Sequence, residues 1–331
     1  MSQKTVLIIT GMHRSGTSLT ASLLQSSGLN IGNDLMGPGM GNQKGHFEDM
    51  DFVQFHERVL RSHGISQEGW TLTQNINVPE QCLAHIRDLI ADKCTQSMWG
   101  WKDPRTTLFL DFWLKELPFA KFLFVYRSPW QVIDSLFRRS HKVCDDTFFE
   151  NPSFALEVWQ SYNEAILNFY HENNKRCVLV NIESVIHDFN LIKNKLESKL
   201  EIHLNWADAL NTYDDRLFKR QVSESHRQTL INQYFPDAMK CYQQLNNIAD
   251  IKYEDHSITS SEDLHLSNLK AWILQDWLDV KKVQKELQET QLQLQENRLQ
   301  LEQLKNNILV IESSKFWKLR NFWFNFKSAL R

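Results

Sequence analysis

Four short runs are apolar at nearly every position: Val6–Thr10, Met98–Lys102, Phe122–Tyr126 and Cys177–Val180. Unbroken hydrophobicity over so few residues marks strands covered on both faces, whereas a half-exposed strand would alternate. Between the runs, apolar residues recur at helical spacing near 16–27, 48–63, 80–93, 106–117, 129–139 and 153–173. Residues 223–248 read as further helix. Strands alternating with helices predict an α/β domain with a parallel central sheet flanked by helices.

The pattern changes after residue 250. Residues 251–265 are polar and without periodicity, which predicts a linker after a first domain spanning 1–250. Over 266–311 the chain is rich in Leu, Gln, Glu and Lys, and Val280, Leu287, Leu294, Leu301 and Ile308 recur every seven residues. Val283, Leu304 and Ile311 partly fill the complementary position, and Thr290 and Asn297 interrupt it. The expectation is a long C-terminal helix with a coiled-coil seam, through which a homodimer forms. The tail, 312–331, places Phe316, Leu319, Trp323, Phe326 and Leu330 on one stripe, with Lys315, Lys318, Arg320, Lys327 and Arg331 against a single acid, Glu312. Such a tail suits peripheral contact with a membrane; the competing reading folds it back onto the first domain.

A length of 331 residues leaves room for one large domain and this appendage. A net charge of −3 argues against a general nucleic-acid binder and leaves room for a local basic pocket. The five cysteines (82, 94, 144, 177 and 241) are odd in number and include no Cys-x-x-Cys pair. That predicts reduced thiols, with no disulfide framework and no zinc or other metal site. The apolar N-terminal stretch is too short for a signal peptide and no segment reads as membrane-spanning, so a cytoplasmic location is expected, with the inner membrane face as a peripheral site.

All eleven glycines lie in the first hundred residues, and five fall between Gly32 and Gly45. Backbone that can approach a ligand is therefore concentrated in the N-terminal half. The first strand runs into Gly11-Met12-His13-Arg14-Ser15-Gly16-Thr17-Ser18, and a helix follows. Two glycines at this spacing let N–H groups curl around an anion, while the helix start adds unpaired donors and a positive dipole end. An ATP-hydrolysing loop would carry Gly-Lys-Ser/Thr; here Gly16-Thr17-Ser18 stands instead and the cation is Arg14. A turn that binds nothing would not need Arg14, Ser15, Thr17 and Ser18 together. His13 belongs to the same set or is a spacer in the loop.

The strand Phe122–Tyr126 ends in Arg127, where a magnesium-dependent enzyme would place an acid. Ser128-Pro129-Trp130-Gln131 reads as an N-cap, a first-turn proline and a capping box. In the helix that follows, Ser135 and Arg139 lie four apart on one face. Arg127, Ser135 and Arg139 together suit a second anionic group. Two anion sites in one domain point to a ligand with two separated phosphates.

These residues resemble the sulfotransferase family that uses 3′-phosphoadenosine 5′-phosphosulfate (PAPS). The resemblance is carried by Arg14-Ser15-Gly16-Thr17-Ser18 after the first strand and by Arg127 with Ser135 eight residues on. It continues more weakly through Trp101-Lys102-Asp103-Pro104-Arg105, Ile182-Glu183 and Leu217–Arg220, about residues 5–221. It implies a P-loop NTPase-like sulfotransferase fold, with the first loop on the 5′-phosphosulfate. Arg127 and Ser135 would bind the 3′-phosphate, with Arg139 and Arg220 as further cofactor-binding residues. Arg14 stands where the small-molecule branch usually has lysine, which brings the chain nearer to bacterial, tyrosylprotein and carbohydrate sulfotransferases.

Sulfuryl transfer needs a base for the acceptor hydroxyl and positive charge on the leaving phosphate. The resemblance makes Glu48, in Lys44-Gly-His-Phe-Glu-Asp49, the first candidate base and His46 the second. The plain alternative is that Glu48 and Asp49 only favour a helix N-terminus. Lys102 would contact the transferring group, or else simply pair with Asp103. His56 and His63 lack metal-ligand spacing and read as core or surface histidines. Trp99, Trp101 and Trp113 read as core rather than a sugar platform. A glycan is the leading acceptor by resemblance, with lipid, peptide and phenol open. The competing functions are a kinase-like P-loop transferase and a non-catalytic scaffold with a nucleotide fold.

Overall fold

The computed structural model describes residues 4–37, 45–143, 147–206, 224–253 and 266–329. The chain divides into two compact units, Met1–Ser257 and Ile258–Arg331. In chain order the first contains β1 (Thr5–Thr10), α1 (Thr17–Ser26), α2 (Met50–Ser62), α3 (Glu80–Lys93) and β2 (Met98–Lys102). A 3₁₀ turn at Pro104–Phe109 leads into α4 (Leu110–Glu116), then β3 (Lys121–Tyr126), α5 (Pro129–Val143) and α6 (Thr147–Glu150). There follow α7 (Pro152–Asn173), β4 (Cys177–Asn181), α8 (Ile182–His187), α9 (Asn190–Leu200), α10 (Glu224–Tyr234) and α11 (Pro236–Ile248). The second unit holds α12 (Leu266–Ser313) and α13 (Lys315–Ala329).

The four strands form one parallel sheet in the order β2-β1-β3-β4. Alternation along each strand sends side chains to opposite faces. Val6, Ile8, Trp99, Trp101, Phe122 and Phe124 meet α2, α4 and α7 on one face. Leu7, Ile9, Leu123, Val125, Val178 and Val180 meet α1, α8 and α9 on the other. The α/β architecture read from the sequence is therefore the one observed, and the four expected strands are found to within a residue. The expected helix at 223–248 is broken into two at Phe235-Pro236, because proline fits the first turn of α11 and not a helix interior.

Trp99, Trp101 and Trp113 are fully buried, as core residues. Phe52 of α2 stacks on Trp101 with ring centroids 4.2 Å apart, and Trp113 of α4 lies 4.6 Å from Trp101. This aromatic stack fixes α2 against β2, so the start of α2 is held beside the end of β2.

Ile251, the first residue of the expected linker, is buried and bonded to the sheet: its N–H donates to Leu179 and its carbonyl accepts from Asn181. Linker residues 254–265 lie outside the described residues. The helix α12 is 48 residues long, about 72 Å at 1.5 Å per residue. Its seam positions Val283, Leu287, Leu294, Leu301, Leu304, Ile308 and Ile311 are all exposed.

The loop after β1 is held open by close backbone approach. A Cβ on Gly11 (φ 154°) would lie 2.1 Å from the carbonyl oxygen of Val125 in β3, and one on Gly16 (φ 94°) 2.3 Å from Ile182. We expect Gly11→Ala to lower stability by about 1–3 kcal/mol, because β1 and β3 must part. Gly28→Ala is the comparison: that glycine is also left-handed (φ 96°), but an added Cβ there meets nothing within 4 Å. Urea midpoints of the two variants should differ, with Gly11→Ala the lower.

Candidate active site

At the C-terminal edge of the sheet a cleft of about 160 Å³ is lined by His13, Arg14, Thr17, Ser18, Met36, His46, Glu48, Glu57, Gln67, Glu68, Lys102, Pro104, Arg105 and Arg139. Carboxyl ends of parallel strands are where such folds place ligands. The register explains the juxtaposition: Lys102 ends β2 opposite Ile9 of β1, one residue before the loop-bearing end of that strand.

The loop following β1 supplies the anion-facing wall. Arg14 adopts a left-handed conformation (φ 67°), and its Nε donates to Ser135 Oγ of α5 at 2.9 Å. The Ser15 hydroxyl is buried without a protein partner, as is Nε2 of His13. His13 sits edge-on to Trp70 and near Tyr162, with ring centroids 4.8 and 6.1 Å away. Burial, with Arg105 and Arg139 adding to it, holds its imidazole well below the ordinary value. Ser18 donates to the backbone carbonyl of His46 at 3.2 Å, tying the loop to the segment that carries the candidate bases.

That segment separates two adjacent acids. Asp49 caps α2, accepting from the Asp51 N–H at 3.1 Å, and its other oxygen meets buried Lys93 at 2.6 Å. A helix-capping acid is thus present, but it is Asp49 alone. Glu48, only 6% exposed, points instead into the cleft, where Oε1 accepts from Lys102 at 2.6 Å and Oε2 from Arg105 at 3.0 Å. The Lys102 ammonium also donates to Ser18 Oγ at 3.2 Å. Burial lowers its pKa, against the opposing pull of Glu48. His46 lines the same cleft, and burial, partly offset by Glu48, keeps its imidazole below the ordinary value and so neutral near pH 7.

The reading of Lys102 as a simple partner of Asp103 does not hold. Backbone at Asp103 is extended (φ −152°, ψ 125°), so these neighbouring side chains diverge. Asp103 is fully buried and engages Arg105 Nε at 2.8 Å and His56 Nδ1 at 2.9 Å. Trp113 Nε1 donates to His56 Nε2 at 3.1 Å, so the His56 proton lies on Nδ1 and is donated to Asp103. His56 is therefore a core histidine with both ring nitrogens used, whereas exposed His63 meets the Asn77 carbonyl at 2.8 Å. Arg105 extends the array, donating from Nη1 to Glu57 at 3.1 Å and to the Gln67 carbonyl at 3.3 Å.

The second expected anion site is distributed differently from its sequence reading. Arg127 forms a salt bridge with Glu183 at 2.8 Å, and its Nε reaches Gln131 at 3.1 Å. Ser128 donates to the Gln131 side-chain oxygen at 2.8 Å, so the two outer members of the expected capping box bond each other. Ser135 is joined to Arg14, while Arg139 lines the cleft with Glu48 and Lys102. The structure thus brings together His13, Arg14, Thr17, Ser18, His46, Glu48, Lys102 and Arg139, with Ser135 attached through Arg14; Arg127 engages Glu183 at the base of the same helix. Arg220 lies outside the described residues. Arg105, Glu57 and Gln67 were not among the sequence candidates; the one signal available was Asp-Pro-Arg directly after a strand. Among the described residues, no group of three or more His, Cys, Asp or Glu is placed to hold a metal.

A family model described as the sulfotransferase family matches residues 7–208, more than half of the chain. The chain belongs to the sulfotransferase family. This membership makes it a transferase whose chemistry requires a sulfuryl donor, and it sets aside the kinase-like reading. The solved structures similar to this sulfotransferase include a sulfotransferase domain from the curacin biosynthetic pathway, 15% identical, covering 73% of this chain and 97% of that one, with a TM-score of 0.43. A sulfotransferase domain from the olefin synthase of Synechococcus PCC 7002 is 18% identical, covering 72% and 94%, with a TM-score of 0.42. A sulfotransferase from Mycobacterium tuberculosis H37Rv is 13% identical, covering 74% and 77%, with a TM-score of 0.40. No curated protein matches the sequence.

The buried array sets an acid limit on stability. Burial alone would push the Asp103 carboxyl up, but the charge of Arg105 and the His56 bond outweigh it and hold the pKa far below its ordinary value. A carboxyl depressed in the folded state contributes stability that is complete above its unfolded value of about 3.9 and is lost as pH falls below it. Asp103→Asn should therefore cost about 3–5 kcal/mol near neutrality, since it leaves Arg105 under-compensated. It should also flatten the fall of stability below about pH 4. Urea unfolding of both proteins across that range measures the two effects.

Proposed function

We propose that this protein transfers a sulfuryl group from PAPS to a hydroxyl of a carbohydrate acceptor, with Glu48 as base. The observation that carries the proposal is the Glu48–Lys102 contact of 2.6 Å beside Ser18, which places a proton acceptor, an ammonium and an anion-binding loop in one cleft. The donor fits the residues present. The buried Ser15 hydroxyl lacks a protein partner, and the loop turns through left-handed Arg14 and Gly16 into the N-terminus of α1. Arg14, Ser15, Gly16, Thr17 and Ser18 would hold the 5′-phosphosulfate, with His13 behind them. Arg127, Ser135 and Arg139 would hold the 3′-phosphate, which then competes with Glu183 for Arg127.

When bound, PAPS supplies an activated sulfuryl group with a phosphate as leaving group. Glu48 takes the proton of the incoming hydroxyl at a carboxylate oxygen, while Arg105 fixes the orientation of that carboxylate. As Glu48 gains the proton, its hold on Lys102 weakens. The ammonium is then released toward the negative charge developing on the leaving side, with Arg14 and Arg139 adding to the local field. His46, neutral and in the same cleft, is the alternative base. Glu57, Gln67, Glu68 and Met36 form the remaining wall, and side-chain carboxylates and an amide suit the several hydroxyls of a sugar.

Calorimetry should show adenosine 3′,5′-bisphosphate binding far more tightly than AMP, by about 1.5–3 kcal/mol for each charge-assisted bond gained. Arg127→Ala should remove most of that preference, and equal affinity of the unaltered protein for both nucleotides would remove the second phosphate site.

Glu48→Gln should preserve bisphosphate affinity and lower transfer from PAPS by about 10²–10⁴-fold. Near-normal turnover in Glu48→Gln, with His46→Ala inactive, would move the base to His46.

A further inference from the structure

The C-terminal helix α13 carries an unusual surface. It starts afresh after α12, with Ser314 Oγ accepting from the Trp317 N–H at 3.2 Å, so it is a separately capped helix. Phe316, Leu319, Phe322, Trp323 and Phe324 are all more than half exposed, from 52% to 86%. Water-exposed aromatics in this number on fifteen residues are costly unless something covers them.

Its charge has one sign. Within Lys315–Ala329 stand Lys315, Lys318, Arg320 and Lys327 and no acid. The cations lie over the rings: Arg320 is 4.4 Å from the centroid of Trp317 and 5.4 Å from that of Phe324, and Lys327 is 5.1 Å from that of Trp323. Cationic heads beside aromatic faces match the boundary where acyl chains meet anionic headgroups.

A second copy of the chain fits less well as the occupant. A second copy of α13 would bring eight cations together without an acid to pair them. Trp317, Phe322 and Phe324 also lie off the stripe of Phe316, Leu319 and Trp323, so a two-helix seam would leave them uncovered. No described helix is long and apolar enough to cross a membrane, so contact would be by lying on the surface.

We propose that α13 docks the protein onto an anionic lipid surface. Its apolar and aromatic side chains enter the interface while Lys315, Lys318, Arg320 and Lys327 meet the headgroups. The inference is independent of the donor and acceptor assigned to the first unit.

The test is co-sedimentation of the full chain with phosphatidylcholine vesicles and with vesicles containing about one-third phosphatidylglycerol. Binding is expected to the anionic vesicles only, weakening as salt shortens the screening length. Replacing each cation with glutamine should lower partitioning about fivefold, and replacing all four several hundred-fold. A Phe316→Ser/Phe322→Ser/Trp323→Ser variant should also lose binding while keeping the melting temperature and transfer activity of the unaltered protein. No preference for anionic vesicles, or binding insensitive to the four glutamines, overturns the proposal. So does a fall in melting temperature of the serine variant, which would show the aromatics packed on protein, or a fall in its oligomeric mass, which would show them covered by a second copy.

Discussion

The guanidinium of Arg105 joins Asp103, Glu48 and Glu57 into one array, and the geometry of the cleft depends on it. A charge taken so far from water is tolerable only when every partner is in place. Asp103 is held in turn by His56, and His56 by the indole of Trp113, so the aromatic core reaches the site through hydrogen bonds. The array joins the end of β2, the 3₁₀ turn after it and the entrance to α2. Shifting any of these would separate a buried charge from its counter-charge, which explains how residues far apart in the chain keep Glu48 against Lys102.

The opposite wall is fixed by packing. Gly11 lies against the backbone of β3 and Gly16 against Ile182, while Arg14 reaches across to Ser135. The loop is thereby held from below and from one side before any anion arrives. Ordering a free loop would cost about 1–2 kcal/mol for each residue fixed, and most of that cost is borne in folding. The two walls meet where Ser18 touches both Lys102 and the backbone of His46.

Much of this was legible in the chain. Strands buried on both faces announce themselves by unbroken apolar runs, and the loop after β1 carried glycines, an arginine and hydroxyls in a single stretch. What could not be read were partnerships set by the third dimension. Lys102 and Asp103 are neighbours in sequence, yet the extended backbone sends one to Glu48 and the other to Arg105. Glu48 and Asp49 read alike, but only the latter caps the helix, because it stands directly before the first residue of α2. Arg127 meets Glu183 across 56 positions, and no local pattern marks that pair. Proline 236, visible in the sequence, was still not enough to show that residues 223–248 form two helices.

The outer edges of the sheet are both occupied. Beside β2, Gly100 donates to the carbonyl of Asn30. Beside β4, Asp250 and Ile251 bond to Leu179 and Asn181, and the Asp250 carboxylate also holds Lys199 at 2.7 Å and Tyr170 at 2.9 Å. An uncovered parallel strand would offer its free N–H and C=O groups to any other chain. The residues that close this edge lie within the first unit, near its end at Ser257, and act there as a seal on the sheet. Without Asp250 and Ile251, the backbone N–H and C=O groups along that side of β4 would stand open as a template for another strand.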